Sequence, residues 1–343
     1  MRAERVGGRK GRGLSAPNRE NPVFTVLPVD IWAKIKGFGV VLVFGHAESL
    51  QHVTPPGHPE RAERLLAVER GLAGLKVERR DCPEGAEADV LRCHPAAYLA
   101  RVKAAVPQAG WSQMDGDTFL APGSYRAAMR AVGGACAAVD AVVAGGGRAF
   151  VAARPPGHHA ERETAMGFCL FGTVAIAAMR AIEVLGLTRV AVLDFDVHHG
   201  NGTQDLLWDE GRVRLVSSHQ MPLYPGSGRP NERGGLGQIT NLPLAEGSGG
   251  AAMRAAWGSV LADIAAWKPE LVLVSAGFDA HEDDPLAGLT WQTEDFRWIT
   301  RAICDLADQS GAGRVVSCLE GGYDLDALAT SVAVHVEELG RVT

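Results

Sequence analysis

The sequence lacks three features, and each absence argues against a class of protein or site. The six cysteines form no C-x-x-C pair, which argues against a structural zinc or dithiol redox site and for free thiols in a reducing compartment. The formal net charge is only -6, so nothing supports a broad basic face for nucleic acid. No uninterrupted apolar run is long enough to span a bilayer, and the N-terminus has no apolar secretory core. We therefore expect a cytoplasmic protein that binds neither nucleic acid nor membrane.

The composition is otherwise that of a globular protein. Of the 343 residues, 46% are hydrophobic and 22% are charged, which is enough apolar material for a sizeable core. Residues 1–39 differ, because they are basic, glycine-rich and poor in apolar side chains. A solvated extension or an overcalled start site is favoured there over an arm that binds nucleic acid. We predict a disordered basic extension over residues 1–39 and one folded domain over residues 40–343.

Short apolar runs alternate along the chain with longer segments whose apolar residues have helical spacing. The predicted strands cover residues 40–44, 148–153, 189–195, 214–218, 270–276 and 314–319. The predicted helices cover residues 59–72, 123–144, 165–185, 250–267, 293–310 and 325–339. This alternation predicts an α/β domain with a mainly parallel sheet and helices on both faces.

Polar residues follow five of the six predicted strands. The segments concerned are RPPGHHA, DFDVHHGNG, HQ, GFDAH and EGGYD, in chain order. Ligands of open parallel sheets bind outside the carboxyl ends of the strands. We therefore expect a functional site at that edge, because such convergence is hard to explain by packing.

The segment DFDVHHGNG indicates a metal site. Asp194, Asp196 and His198 alternate along an extended chain and point to one face. A salt-bridged strand end, the alternative, needs basic partners, and the segment offers only Arg189. Asp279, at the end of another strand, is the natural third ligand beside Asp196 and His198. Three protein ligands are typical of catalytic zinc, while two carboxylates leave Fe²⁺, Co²⁺ or Mn²⁺ open.

The adjacent pair His158 and His159 is suited to acid/base chemistry. It follows two prolines and a glycine that fix a turn, and imidazole titrates near neutral pH. If one ring holds a proton while the other accepts one from metal-bound water, the set can hydrolyse an amide. Tyr323, in EGGYD, could donate its phenolic proton to the developing oxyanion. His199 points away from the face of the metal ligands and is expected to play a supporting part.

Taken together and in order, these motifs resemble those of the histone deacetylase family. That family includes bacterial histone-deacetylase-like amidohydrolases, acetylpolyamine amidohydrolases and acetoin-utilisation proteins. The matching segments are GHPERAERL (57–65), RPPGHHA (154–160), GFC (167–169), DFDVHHGNGTQ (194–204), YPGSG (224–228), SAGFDAHEDDPL (275–286) and EGGYD (320–324). HHGNGTQ and GHPER are similar to the class II branch. The resemblance implies a single catalytic domain over residues 40–343 with the arginase/deacetylase fold, an α/β fold whose central, mainly parallel sheet has eight strands.

The resemblance also implies a role for each motif. The metal ligands would be Asp196, His198 and Asp279. His159 would be the general base and then the acid that protonates the leaving amine, with His158 as its electrostatic partner. Tyr323 would polarise the acyl carbonyl.

Residues beside this centre have implied roles as well. Asp194 would hydrogen-bond to His158. Asn201, where the class I pattern has an aspartate, would face His159 with a neutral amide and leave it less readily protonated. A structural potassium ion would be bound near four residues: Asp194, Asp196, His198 and Ser217.

The substrate channel implied by the resemblance is narrow. The Gly167 backbone would hold the substrate amide, Phe168 and Tyr224 would wall a tunnel for an acyl-lysine stem, and Asp117 would grip the substrate backbone. Leu286 matches the apolar residue of protein deacetylases at a position where a polyamine-selective branch has glutamate. The implied reaction is hydrolysis of acetyl-lysine in a protein or peptide.

Alternatives stay open on substrate and turnover. An acetylpolyamine or another small amide could be the substrate, and a non-catalytic binder of acylated ligands is a remote alternative. A binuclear arginase-like centre is disfavoured, because D-x-H-x-D is required and Gly200 stands at its last position. The sequence does not fix the oligomeric state, so a homo-oligomer is possible.

The remaining histidines are expected to be capping, loop or surface residues. They are His46, His52, His58, His94, His219, His281 and His335. His58 and His281 are exceptions in one respect, since both could lie near the rim of the site.

Overall fold

The computed structural model describes residues 39–341, and the predicted extension over residues 1–39 lies outside this range except for Gly39. The strands are β1 (Val41–Gly45), β2 (Val77–Asp81), β3 (Ser112–Gln113), β4 (Phe119–Leu120), β5 (Arg148–Ala152), β6 (Val190–Asp194), β7 (Val213–Gln220), β8 (Ile239–Leu244), β9 (Leu271–Ala276) and β10 (Val315–Leu319). The helices are α1 (Glu63–Leu72), α2 (Glu87–Val90), α3 (Ala96–Ala105), α4 (Ser124–Gly145), α5 (Thr173–Glu183), α6 (Asn201–Leu206), α7 (Gly250–Trp267), α8 (Thr293–Gln309) and α9 (Leu325–Leu339), and Ala47–Gln51 forms a 3₁₀ helix.

Eight strands form one parallel sheet. Its order is β2-β1-β5-β10-β9-β6-β7-β8, while β3 and β4 form a separate antiparallel pair. All seven neighbouring pairs in the large sheet are parallel. The predicted α/β architecture is therefore confirmed, including the eight-stranded parallel sheet.

The apolar side chains of β6 point to both faces of the sheet, and helices cover both faces. Val190 and Val192 belong to the core on one face, with α4 and α5, whereas Ala191 and Leu193 belong to the core on the other, with α1, α7, α8 and α9. Side chains alternate along a strand, so a run that is apolar at every position requires cover on both faces. Each fully buried valine or leucine contributes about 1.5–3 kcal/mol to this cover.

All six predicted strands are present, as β1, β5, β6, β7, β9 and β10, but the edge strands were not predicted. The sequence of β2, VERRD, is mostly polar and half-exposed to exposed, and β8 contains Asn241 and Pro243. An edge strand is covered less completely than a central one, so its sequence lacks the apolar run that identifies buried strands.

Two predicted helices begin later than expected, and α3 was not predicted at all. The helix predicted from residue 59 begins at Glu63, after a turn. The helix predicted from residue 165 begins at Thr173, because Gly167 and Phe168 have φ values of 55° and 69°. Positive φ is incompatible with a right-handed helix, so residues 165–172 form a loop at the candidate site.

Helix α4 packs on the sheet as a core helix. By length and composition it is the described helix that is apolar enough to cross a membrane, but 67% of its most apolar stretch is buried. Thirteen of its residues, including Val132, Ala135 and Val139, are buried. Such burial is typical of the central helix of a globular protein.

Candidate active site

Asp196, His198 and Asp279 converge beyond the carboxyl ends of β6 and β9. All three are buried, and one ligand atom from each lies within 4.8 Å of the others. His198 Nδ1 is 3.1 Å from both Asp196 Oδ1 and Asp279 Oδ2. Oxygen and nitrogen donors in this arrangement fit a divalent cation, because buried carboxylates are costly unless a positive charge compensates them.

The backbone of two loops holds the ligand carboxylates in place. Val197 N–H donates to Asp279 Oδ1 and Gly321 N–H donates to Asp196 Oδ2, both at 2.9 Å. A Cβ added at Gly321 would lie 2.0 Å from Asp279 Oδ2. Glycine is required there because the backbone approaches the carboxylate more closely than any side chain permits.

The two carboxylates of the cluster act on the charge of His198. Burial disfavours its charged form, but hydrogen bonds to Asp196 and Asp279 outweigh burial and raise the pKa of His198 to about 10. Burial and the charge of Asp196 raise the pKa of Asp279. The cluster therefore attracts positive charge, whether a proton or a metal ion.

His158 and His159 lie side by side with opposite electrostatics. Their ring centroids are 4.0 Å apart, and both rings are fully buried. Burial disfavours the charged form of His158, but the charges of Asp196 and Asp194 outweigh it and raise the pKa of His158 well above its ordinary value. Burial, with the neighbouring His158 and His198, lowers the pKa of His159 well below its ordinary value. The surroundings therefore favour the protonated form of His158 and the neutral form of His159.

Different partners account for this contrast. His158 Nδ1 is 3.1 Å from Asp194 Oδ2, a carboxylate, whereas His159 Nδ1 is 2.7 Å from Asn201 Oδ1, an amide oxygen. Only the carboxylate adds a negative charge. The β6–β7 register sets Asp194 opposite Ser217, whose hydroxyl hydrogen-bonds to His219.

Tyr323 is held by residues that the sequence analysis did not single out. Its N–H donates to Asp284 Oδ2 at 2.7 Å, and the Arg64 guanidinium lies 4.8 Å from the centre of its ring. Arg64 also donates to the carbonyls of Gly322 and Glu320, at 2.6 and 2.5 Å. Burial raises the pKa of Tyr323 well above its ordinary value, so the phenol keeps its proton and remains a donor.

The buried ion pair of Glu60 and Arg154 was also missed. Glu60 Oε2 accepts from Arg154 at 2.6 Å, and Glu60 Oε1 accepts from Arg64 at 3.2 Å. Glu320, the first residue of EGGYD, accepts from the backbone N–H groups of Gly157 and His158. The only sequence signal was the i, i+4 spacing of Glu60 and Arg64 within GHPERAERL.

Gly167 and Phe168 lie directly beside the histidine pair. A Cβ added at Gly167 would be 2.4 Å from His159 Cδ2, so only glycine fits between the loop and the ring. Phe168 N–H donates to Thr118 Oγ1 at 3.0 Å, and its ring is 5.8 Å from that of Tyr323. These contacts bring the predicted tunnel residues next to the predicted catalytic ones.

The rim is formed by aromatic and acidic side chains. The Tyr224 ring is 5.2 Å from His159 and 38% exposed. A groove of about 430 Å³ is lined by Asp117, Phe168, His58 and Phe119, among others. His58 Nε2 is 3.0 Å from the Asp117 carbonyl oxygen, as expected for a histidine near the rim.

Leu286 is connected to the site through its own loop. It is partly buried, and its N–H donates to Asp284 Oδ1 at 3.1 Å. The second oxygen of Asp284 accepts from Tyr323 N–H. The DDPL segment is thus tied to the tyrosine loop.

Four of the other histidines, His52, His94, His219 and His335, are at most 1% exposed. His52 and His94 lie in loops, as expected, and His52 is the C-cap of the 3₁₀ helix, whereas His219 in β7 and His335 in α9 fit none of the expected classes. His46 is confirmed as a cap, because its Nδ1 accepts from Glu48 N–H at the start of the 3₁₀ helix. His199, expected in a supporting part, is buried and bonds to Ser227 Oγ and Gln204 Oε1.

Comparison with known proteins agrees with the geometry. The family model described as "Histone deacetylase domain" matches residues 58–339. An uncharacterised protein of Synechocystis sp. is 40% identical over 308 residues, covering 88% of this chain and 99% of the relative. The "Histone deacetylase-like amidohydrolase" of Pseudomonas aeruginosa is 38% identical over 327 residues, covering 94% of this chain and 82% of the relative.

A solved structure supports the same assignment. The crystal structure of the HDA15 HD domain superposes with a TM-score of 0.82 at 31% identity, covering 88% of this chain and 89% of that one. Both the sequence family and the fold therefore point to one group of hydrolases. The chain belongs to the histone deacetylase family.

Proposed function

We propose that the protein is a zinc-dependent deacetylase that hydrolyses the amide of Nε-acetyl-lysine in proteins or peptides. Membership of the histone deacetylase family supports a hydrolase that acts on an acetylated substrate. The observation that carries the finer proposal is the different partner of each histidine beside the Asp196, His198 and Asp279 cluster: a carboxylate, Asp194, at 3.1 Å from His158 and an amide oxygen, Asn201 Oδ1, at 2.7 Å from His159.

Asp196, His198 and Asp279 would hold the metal. Bound zinc would lower the pKa of a water molecule and polarise the acyl carbonyl, and Fe²⁺ or Co²⁺ would be suited to the same donors. A structural potassium ion near Asp194 and Ser217 is part of the proposal, supported by the pairing of these residues across β6 and β7.

His159 would act first as base and then as acid. Its Nδ1 is engaged by Asn201 Oδ1, so Nε2 is the atom that accepts a proton from water and returns it to the leaving amine. His158, whose charged form is favoured by Asp194 and Asp196, would act as an electrostatic partner. Tyr323, a buried phenol with its proton retained, would donate a hydrogen bond to the acyl oxygen.

The rim would select an extended acyl-lysine. Phe168 and Tyr224 would contact the aliphatic stem, the Gly167 backbone would hold the substrate amide and Asp117 would accept from the substrate backbone. Leu286 offers no charge to a second ammonium group, which favours a peptide over a long polyamine. The six free thiols fit a reducing compartment, and a cytoplasmic location completes the proposal.

His159→Ala provides the direct test. In zinc-reconstituted protein, we expect this variant to lose hydrolysis of an acetyl-lysine reporter while its metal content stays near that of the wild type, because the ligand set is intact. Hydrolysis that survives the change would refute the assigned base. A wild-type protein that binds the reporter without cleaving it would instead be a binding protein.

An acyl and substrate panel tests the substrate class. Acetyl-lysine peptides, longer acyl-lysines and acetylputrescine would be compared by kcat/KM on the same zinc-reconstituted protein. We expect the acetyl-lysine peptide to be preferred. A large preference for acetylputrescine would identify a small-molecule amidohydrolase and overturn the interpretation of Leu286.

A further inference from the structure

Asn201, the hydrogen-bond partner of His159, is itself bound by a residue outside every motif named so far. Glu161 follows RPPGHHA directly, and its Oε1 accepts from Asn201 Nδ2 at 2.7 Å. Asn201 Oδ1 lies 2.7 Å from His159 Nδ1, on the other side of the amide. Glu161, Asn201 and His159 thus form a continuous chain of two short hydrogen bonds.

A carboxylate accepts hydrogen bonds and donates none, which fixes the donor and acceptor at each step from Glu161 to His159. The NH₂ of Asn201 is therefore the group that can face Glu161. Met166 Sδ, 3.3 Å from the same nitrogen, is also an acceptor. The amide oxygen must therefore face His159, since the partners of the nitrogen fix the orientation of the amide.

An amide oxygen toward His159 selects one tautomer of the ring. Asn201 Oδ1 can only accept, so His159 Nδ1 must carry the hydrogen and Nε2 keeps its lone pair. If Asn201 were reversed, its NH₂ would face Nδ1 and favour the tautomer with hydrogen on Nε2. A ring in that state could not accept a proton at Nε2.

We propose that Glu161 is a positioning residue, which orients the Asn201 amide and thereby fixes His159 in the tautomer whose Nε2 is free. Glu161 polarises the Asn201 amide and thereby gives His159 part of the electrostatic stabilisation that His158 receives directly from Asp194. It does so without placing a second negative charge against the metal cluster. The inference rests on the proposed function in so far as His159 is the base. The tautomer itself does not depend on that function.

Glu161→Gln tests the orientation without changing shape. A glutamine can donate as well as accept, so Asn201 is free to reverse. We expect kcat on the acetyl-lysine reporter to fall by about ten- to a hundredfold, with KM changed less than about twofold, because the base and not the channel is affected. Glu163→Gln, at an exposed position in the same loop, is the matched control and should leave both constants unchanged.

A double variant separates orientation from simple loop support. Asn201→Asp alone sets two carboxylates against each other at the 2.7 Å contact and should reduce kcat. In Glu161→Gln/Asn201→Asp, the glutamine can donate to the aspartate, which presents an acceptor in either orientation. We expect the double variant to exceed each single variant in kcat. Additive losses would mean that Glu161 only supports its loop and would overturn the inference.

A spectroscopic measurement makes the inference independent of turnover. Imidazole ¹⁵N chemical shifts of the zinc-loaded protein distinguish the two tautomers, and His159 is identified by the signals missing in His159→Ala. We expect hydrogen on Nδ1 in the wild type and a mixture of tautomers in Glu161→Gln. Identical tautomers in both would overturn the inference, even in active protein. An inactive wild type with the expected shifts would refute the proposed function and leave the inference standing.

Discussion

Two buried histidines in different regions of this molecule, His158 and His335, have pKa values shifted in opposite directions. At the carboxyl edge of the sheet, His158 lies against Asp194 and its pKa is raised well above the ordinary value. Between the sheet and α8, His335 bonds to Thr300 Oγ1 and Ser317 Oγ, and burial lowers its pKa to about 3. Both rings are fully buried, so burial alone does not decide charge. The neighbouring carboxylates do.

His159 sharpens the comparison. It lies beside His158 at the carboxyl edge of the sheet, but its pKa is lowered, like that of His335. It is in ring contact with His158 but meets an amide where His158 meets a carboxylate. The charged groups around each ring, and not burial alone, therefore decide the direction in which its pKa moves. The proposed hydrolysis calls for one charged and one neutral imidazole, and the two adjacent histidines differ in this direction.

The largest expected effect comes from removing a carboxylate at the edge. Asp279→Asn takes away a donor that lies within 4.8 Å of its two partners, so we expect loss of bound zinc and of reporter hydrolysis together. Metal analysis and reporter assays on the same preparation would measure both. Asp283→Asn, at an exposed position in the same loop, is the control. An active, zinc-loaded Asp279→Asn protein would contradict the ligand assignment.

A smaller effect, on the free energy of unfolding, is expected from the region around His335. The unfolded chain binds a proton at His335 below about pH 6.5, whereas the folded protein does not until about pH 3. The contribution of His335 to the free energy of unfolding is therefore fully present above pH 6.5. It falls as the pH drops from 6.5 towards 3, by up to about 1.4 kcal/mol per pH unit. Denaturant unfolding between pH 7 and 4 would measure the slope.

Two variants isolate the contribution of His335. His335→Gln keeps hydrogen-bonding capacity without titrating, so the unfolding free energy should fall less steeply with acid than in the wild type. Thr300→Val removes one partner but keeps the ring, and should lower stability by about 0.5–1.5 kcal/mol while retaining the steep slope. Equal slopes in wild type and His335→Gln would show that this histidine has the same pKa in the folded and unfolded chains, and would contradict the prediction.

The smallest effect is expected at a histidine that belongs to neither region. His46 caps the 3₁₀ helix by accepting from Glu48 N–H at 3.1 Å. His46→Ala should lower the free energy of unfolding by about 0.5–1 kcal/mol, whereas His46→Asn, which can still cap, should lower it less. Hydrolysis should be unchanged in both. Equal stability of the two variants would mean that the cap contributes nothing measurable.

The buried strands and the ends that carry the site could be predicted from local patterns. Runs such as Val190–Asp194 are apolar at every position until a carboxylate appears, which indicates both a central strand and where it ends. The edge strands β2 and β8 could not be predicted this way, because partial exposure permits polar residues within them. The site loop 165–172 was mistaken for helix, since positive φ at Phe168 leaves no trace in periodicity.

His219 and His335 were misjudged for a related reason. A histidine is more often exposed than fully buried, and apolar neighbours such as those of His335 do not identify the polar partners that a buried ring needs. Its partners Thr300 and Ser317 are 35 and 18 residues away. A buried histidine is recognised by the hydrogen bonds that satisfy it, and these are long-range.

The sequence by itself determined a parallel α/β sheet with polar residues gathered at one edge, because alternation and the residues that follow each strand are local properties. Only the tertiary structure decided which of those residues meet. The sheet order places β6, β9 and β10 side by side, although residues 195–270 and 277–314 separate them in the chain. Contacts of Arg64 with Tyr323, and of Glu161 with Asn201, depend on that order and on loop paths. The charge of each imidazole follows from such contacts, since electrostatic interaction depends on distance in space and not along the chain.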